Sequence, residues 1–334
     1  MLTTRFTELI GCRVPLQEAG MGQLASPRLA AAVADAGGLG MVGLSGAPAE
    51  YVAKSLDEAR RMTSGAFGAN FIVPSMVDDA TGKLDPGMAA ALEEAASRAR
   101  VVEFFYADPD PSLVERAHAG GALVCWQVGF RDEAVAAERA GCDLIVAQGT
   151  EAGGHVRGKT GLLPLLGEVL PSVRVPVVAA GGIGTGRAMA AALAAGASAV
   201  RVGTRFVAAS EGEAHPRYVE KLIAAEAKDT ILTEAFSANW PNAPHRVLRS
   251  CVEAMEGAKT EIIGERVYAW APDDRVPVRR AESLVPMRTT TGSIDAMPHW
   301  AGESVDGVKG VQPAGEIVRE LAEEAERLLR QWGN

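Results

Sequence analysis

The stretch AQGTEAGGHVRG, residues 147–158, sets an ionisable ring, His155, among glycines at 149, 153, 154 and 158, directly after an apolar run. An imidazole with an ordinary pKa near 6.5 suits proton transfer at neutral pH, and glycines let the backbone take positive φ or approach a ligand closely. On this fragment alone, a proton-transfer loop and a flexible turn with a solvent-facing histidine stand level. The stretch VPVVAAGGIGTGRAMAAALAAGASAVRVGTRF, residues 175–206, is more specific. One strand ends in Gly181-Gly182-Ile183-Gly184, a helix begins near Thr185, and the next strand ends in Gly203-Thr204. Glycine amides from two adjacent strand ends, beside a helix N-terminus, favour an anion such as phosphate. Glycines needed only for tight turns are the weaker explanation.

Other chemistries are excluded one by one. Gly20-Met21-Gly22-x-x-Ala25 matches a loose dinucleotide fingerprint, which requires an acidic residue at the end of the second strand to hold a ribose. Leu44 and Ser45 stand there instead, so a Rossmann reading fails. Schiff-base chemistry needs a lysine inside the fold, and the later strands carry none; Lys159 lies beyond the loop glycines. A metal needs several converging ligands, and these loops offer only His155 with Glu151, so no metal is expected. A cofactor that brings its own chemistry accounts for so few reactive side chains.

Short β-rich runs alternate with alanine-rich helical stretches through the first two-thirds of the chain. Strands are predicted at residues 14–17, 39–44, 67–73, 101–106, 123–128, 144–148, 175–180 and 200–206. They are continuously apolar, as parallel strands covered on both faces are. Eight strands with crossovers in about 210 residues predict a (β/α)8 TIM barrel, whose chemistry gathers at the strands' C-terminal ends. The loop carrying His155 then follows the sixth strand, on that face. We divide the chain into a barrel at 1–210, a smaller C-terminal cap at 211–315 and an amphipathic helix at 316–334. Ile317, Leu321, Leu328 and Trp332 form the stripe by which that helix docks on the barrel.

The chain has 334 residues, is 48% hydrophobic and carries a net charge of −9. The negative balance argues against general affinity for nucleic acid or anionic membranes. Cys12, Cys125, Cys142 and Cys251 are scattered without a C-x-x-C pair, which predicts free thiols in a reducing compartment. The opening MLTTRFTELIGCRVPL has no signal-peptide pattern, and no apolar run is long enough to span a bilayer. A cytoplasmic location is expected, and the long terminal helix permits a homodimer.

The segments QEAGMGQLASPRLAAAVADAGGLGMVG, FGANFIVP, DLIVAQGTEAGGHVRG and PVVAAGGIGTGRAMAAALAAGASAVRVGTRFVAASE together resemble the nitronate monooxygenase family, formerly the 2-nitropropane dioxygenases. Its members are FMN-dependent barrels related to flavin-type enoyl-acyl-carrier-protein reductases. The resemblance runs from about residue 10 to 235 and resumes at HWAGESVDGVKGVQPAGEIVREL. It implies that Gly20, Met21 and Gly22 lie along the flavin, and that Asn70 and Gln148 hydrogen-bond the isoalloxazine edge. Gln127 lines the site, Gly153 and Gly154 contact the cofactor, and Gly181, Gly182, Gly203 and Thr204 hold its phosphate. His155 takes the catalytic position, removing the α-proton of a nitroalkane or, as imidazolium, steadying a nitronate. Small-molecule substrate and O2 would give a carbonyl compound and nitrite. In the related reductases NAD(P)H reduces FMN, and hydride passes to an enoyl thioester or quinone. Trp300 and Glu303, in WAGES, depart from the family's pattern, so no cofactor contact is assigned to that segment. His118, on an outer helix, and His215, His245 and His299, in the cap, are expected to be structural. Readings outside this family are a phosphate-binding isomerase or lyase without flavin, and a noncatalytic ligand-binding barrel.

Overall fold

The computed structural model describes residues 2–78 and 81–332. Its first nine strands are β1 (Leu16–Glu18), β2 (Gly40–Gly43), β3 (Phe67–Ile72), β4 (Val101–Phe105), β5 (Leu123–Val128), β6 (Leu144–Gln148), β7 (Gly154–His155), β8 (Val177–Ala180) and β9 (Ala199–Val202). All except β7 form one parallel sheet in the order β1-β9-β8-β6-β5-β4-β3-β2. The sheet closes where Gln17 bridges Leu39: the Leu39 N–H donates to Leu16 O and the Glu18 N–H to Leu39 O, both at 2.9 Å. Further along this seam the Met41 N–H donates to the Glu18 carboxyl at 3.1 Å, a side chain standing in for a backbone acceptor. Complete burial holds that carboxyl well above the usual carboxylate range. The predicted eight-stranded barrel is what the chain forms.

Side chains alternate across each strand. Val101, Cys125, Leu144, Val146, Val178 and Ala199 point inward and pack with Phe6 and Ile10 of the helix Arg5–Ile10, which plugs the lower mouth. Two residues onward the same parity brings Asn70, Glu103, Gln127, Gln148 and Arg201 inward as a buried polar layer. The opposite parity packs beneath the outer helices as the larger apolar core.

The last strand was expected to run to Phe206, but it stops at Val202. Gly203 turns the chain, and the Phe206 and Val207 N–H groups donate to its carbonyl, closing the helical turn Thr204–Val207. β-Branched and aromatic residues gave that turn a strand-like look, and tertiary hydrogen bonding decides otherwise. The fourth strand likewise ends at Phe105, because Tyr106 takes φ +70°.

Beyond the barrel, β10 (Thr230–Thr233) and β11 (His245–Leu248) pair antiparallel, and β11 continues onto β7, with His245 opposite His155 and Arg246 opposite Gly154. The His155 segment is therefore the edge strand of a cap sheet. A second cap sheet has the order β13-β12-β14, from β12 (Ile262–Tyr268), β13 (Ala271–Arg279) and β14 (Thr291–Gly292). The helix Ala314–Trp332 buries Ile317, Leu321 and Leu328 against the helices Gly186–Ala194 and Pro27–Asp35. The Trp332 side chain lies outside the described residues. Cys125, Cys142 and Cys251 are buried, Cys12 is half-buried, and all four are free. No described helix is long and apolar enough to cross a membrane.

Phe6 is fully buried in the plug, so Phe6→Ala should cost about 3–5 kcal/mol. Urea unfolding checks this, and unchanged stability would show that the helix does not close the barrel.

Candidate active site

A cavity of about 560 Å³ opens at the C-terminal ends of the barrel strands, roofed by the cap. Its floor is the buried polar layer. Glu103 accepts from Gln17 Nε2 at 2.9 Å and from Asn70 Nδ2 at 2.8 Å, and it pairs with Arg201, whose Nη1 donates to Gln127 Oε1. Burial pulls the Arg201 guanidinium below its ordinary value but leaves it cationic at neutral pH. Neither charge had been singled out from sequence, although each interrupts an apolar strand at an inward position, in VVEFF and AVRVG.

Gly20, Met21, Gly22, Gln127, Gln148, Gly153, Gly154, His155, Gly181, Gly182, Gly203 and Thr204 all line this cavity. Asn70 does not: it stands behind Gly20, where a Cβ would come within 2.6 Å of the Asn70 side chain. Gln148 donates from Nε2 to the His155 carbonyl at 3.0 Å. Its Oε1 is buried without a partner, as is Asn70 Oδ1. Among the described residues, the backbone N–H groups of Gly181, Gly182, Gly203 and Thr204 donate to no protein group. Gly181 and Gly182, at φ +113° and +70°, turn these amides in a way other residues rarely adopt. The helix Gly186–Ala194, by contrast, is capped by its own Thr185, which accepts from the Ala188 N–H at 3.2 Å. Free donors at one end and the orphaned Gln148 Oε1 along the wall fit a long, flat ligand that carries a phosphate.

WAGES proves to be part of this wall. Trp300 and Ser304 line the cavity, the Gly302 N–H donates to Thr204 Oγ1 at 3.0 Å, and Glu303 pairs with Arg246 at 3.1 Å.

His155 sits among rings. Trp240 lies 4.1 Å away, Trp300 5.3 Å, His245 5.5 Å and Tyr106 5.8 Å between centroids. Its Nε2 is buried and unpartnered. Burial, with His245 adding a smaller push, lowers its pKa to about 3. The expectation of an ordinary pKa near 6.5, with imidazolium available at neutral pH, is corrected: the surrounding rings displace the water that would solvate the charge, and the His155 ring is held neutral. Tyr106, read from sequence only as the end of a strand, takes a strained φ of +70° and packs against Trp240 at 4.7 Å.

The other histidines have local partners. His245 is fully buried, accepts from the Phe236 N–H at 3.1 Å, and so donates from Nδ1 to Ala243 O at 2.9 Å. His299 stacks on Tyr218 at 4.8 Å and bonds Ile294 O. His118 meets Asp143, and His215 accepts from the Arg217 N–H at the helix it caps.

Both His155 and His299 are neutral in the fold, the latter lowered to about 4 by burial. The unfolded chain binds protons below about pH 6.5 while the fold does not, so stability is complete above that pH and falls as the pH drops toward 4. The expected slope is about 1.4 kcal/mol per pH unit for each histidine. Urea unfolding at pH 7.5 and 5 measures it, and His155→Asn should reduce the loss. A flat profile would mean these rings are not held neutral.

The chain is similar to known proteins over its whole length. The nitronate monooxygenase family profile matches residues 3–324. A probable nitronate monooxygenase of Staphylococcus aureus is 27% identical, with 98% of both chains covered. FabK from Thermotoga maritima is 30% identical with TM-score 0.80, covering 100% of this chain and 99% of that one. A nitroalkane oxidase from Streptomyces ansochromogenes is 29% identical with TM-score 0.76, covering 99% and 100%. With a barrel whose glycine amides, Gln148 amide oxygen and buried histidine share one cavity, the chain belongs to the nitronate monooxygenase family of oxidoreductases.

Proposed function

We propose that this flavoprotein binds FMN and oxidises alkyl nitronates, and the nitroalkanes from which they form, with O2 to a carbonyl compound and nitrite. The observation that carries this is the unpaired Nε2 of a neutral His155 in the same cavity as the four free backbone amides. Gly181, Gly182, Gly203 and Thr204 would hold the phosphate, Gly20, Met21, Gly22, Gly153 and Gly154 would leave room for the ring system, and Gln127 and Gln148 would bond its edge. Asn70 would act from behind Gly20, fixing the floor. Bound flavin would supply the electron acceptor for the nitronate and the route by which O2 is reduced. Residues 1–210 would form the cofactor-binding barrel of a cytoplasmic enzyme, with 211–315 as cap and 316–334 as docking helix.

The chain's own part is proton transfer and exclusion of water. Neutral Nε2 accepts the α-proton of a nitroalkane, while Tyr106, Trp240 and Trp300 exclude water from the site. A nitronate arrives already deprotonated and needs no base. A second reading, NAD(P)H-dependent reduction of an enoyl thioester or quinone, draws support from the likeness to FabK. Anaerobic mixing with NADH or NADPH separates the two: bleaching of the yellow chromophore supports the reductase.

FMN should copurify with the chain, and mass spectrometry of the released cofactor identifies it. Gly182→Val and Gly203→Val should each lose it while the barrel stays folded by circular dichroism; release of FAD, or full occupancy in both variants, overturns the assignment.

His155→Asn should retain the cofactor and lower turnover of neutral nitroalkane by about 10²–10⁴-fold, with a smaller loss on preformed nitronate. Steady-state assays on both forms of one nitroalkane decide it. Equal losses would show that His155 is not the base.

A further inference from the structure

Arg266, on β12, is 4% exposed and lines the same cavity, yet nothing in the chemistry above uses it. Its Nη2 donates to Gln23 Oε1 at 3.1 Å, and its guanidinium carbon stands 4.3 Å from the centre of the Tyr268 ring. Its Nε is buried with no partner. Among the described residues no carboxylate forms an ion pair with it. A buried cation ordinarily has an anionic partner, because a neutral amide and a ring face offset the cost of its desolvation only in part. Gln23 and Tyr268 also line a second, smaller cavity of about 390 Å³ on the other side, so Arg266 stands near the seam between the two. Next to it Tyr268 and Trp270 stack at 4.9 Å and both line the main cavity.

We propose that Arg266 is an anion subsite: with Gln23 it receives an oxyanion, carboxylate or phosphate, on the part of the substrate or cosubstrate remote from the reacting carbon. The Tyr268–Trp270 pair offers an apolar face to the chain that carries this group. This deepens the functional reading and rests on it for the place of the reaction, but ligand binding can be measured without turnover. A planar guanidinium with a free N–H suits such oxyanions better than an ammonium does. A carboxylate would belong to an ω-nitro acid. A phosphate would belong to a nucleotide or a phosphopantetheine thioester.

The holoenzyme and its Arg266→Met and Arg266→Lys variants are titrated calorimetrically with inorganic phosphate and with propionate. KM is then compared for nitronates of equal chain length with and without a terminal carboxylate. Wild type should bind at least one of the two anions, and Arg266→Met should weaken that binding about 10–100-fold, with partial recovery in Arg266→Lys. Propionate binding together with a lower KM for the carboxylated nitronate assigns the group to an ω-nitro acid. Phosphate binding alone assigns it to a phosphorylated cosubstrate, with NADPH and a pantetheine thioester titrated next. If Arg266→Met melts early, Arg266→Lys and Gln23→Leu carry the comparison, and each should weaken the anion. Failure of wild type to bind either anion, or unchanged binding in the variants, overturns the subsite. Absence of turnover on any nitronate, with anion binding intact, overturns the nitronate reading and leaves the subsite standing.

Discussion

Glu103 and Arg201 face one another inside a barrel with little water to solvate either, so each must be answered by the protein. Removing one partner of a buried ion pair typically costs about 3–5 kcal/mol, because the other charge is stranded. Here the pair recruits Gln17, Asn70 and Gln127 from three further strands. The network fixes how β1, β3, β4, β5 and β9 stand relative to one another at the level where their C-terminal loops begin. Those loops are the site. The apolar plug below closes the barrel, but the polar layer sets the height and tilt of its upper rim.

Above that rim the arrangement passes from strands to turns. Gln148 reaches from β6 to the His155 carbonyl, Thr204 from the turn after β9 to Gly302, and Arg246 from the cap to the Thr150 carbonyl at 2.9 Å. The first bond ties a strand to the segment that follows it, and the other two tie a loop to a segment about a hundred residues away. The cavity is thus held open by cross-links among segments far apart in sequence. Burying His155 among aromatic rings lowers its affinity for a proton, which weakens it as a base while keeping it in the proton-accepting form at every physiological pH.

Much of this was legible in sequence because it follows from short-range rules. Largely apolar runs marked all eight barrel strands, and glycines marked where the chain leaves β8 and β9. The strand ends were less legible: Phe206 has strand-like chemistry and lies in a helical turn because of a carbonyl at Gly203. The environment of His155 was not legible at all, since Trp240 and Trp300 come to it from the cap, 85 and 145 residues onward in a chain with no local pattern to place them. Arg201 and Glu103 left a readable trace, a charge at inward parity in an apolar strand. Arg266 left none, because exposed and buried arginines look alike in a cap hairpin.

The pairing of Gly154 and His155 with Arg246 and His245 has a consequence for how such a molecule can change over generations. The proposed base belongs to the barrel by chain order and to the cap by hydrogen bonding. A cap of this kind is not a detachable module. Exchanging it for another would remove the neighbouring strand that orients the imidazole and the tryptophans that keep it uncharged. A new specificity is therefore to be sought in point changes within a fixed frame, reached without letting go of the proposed base.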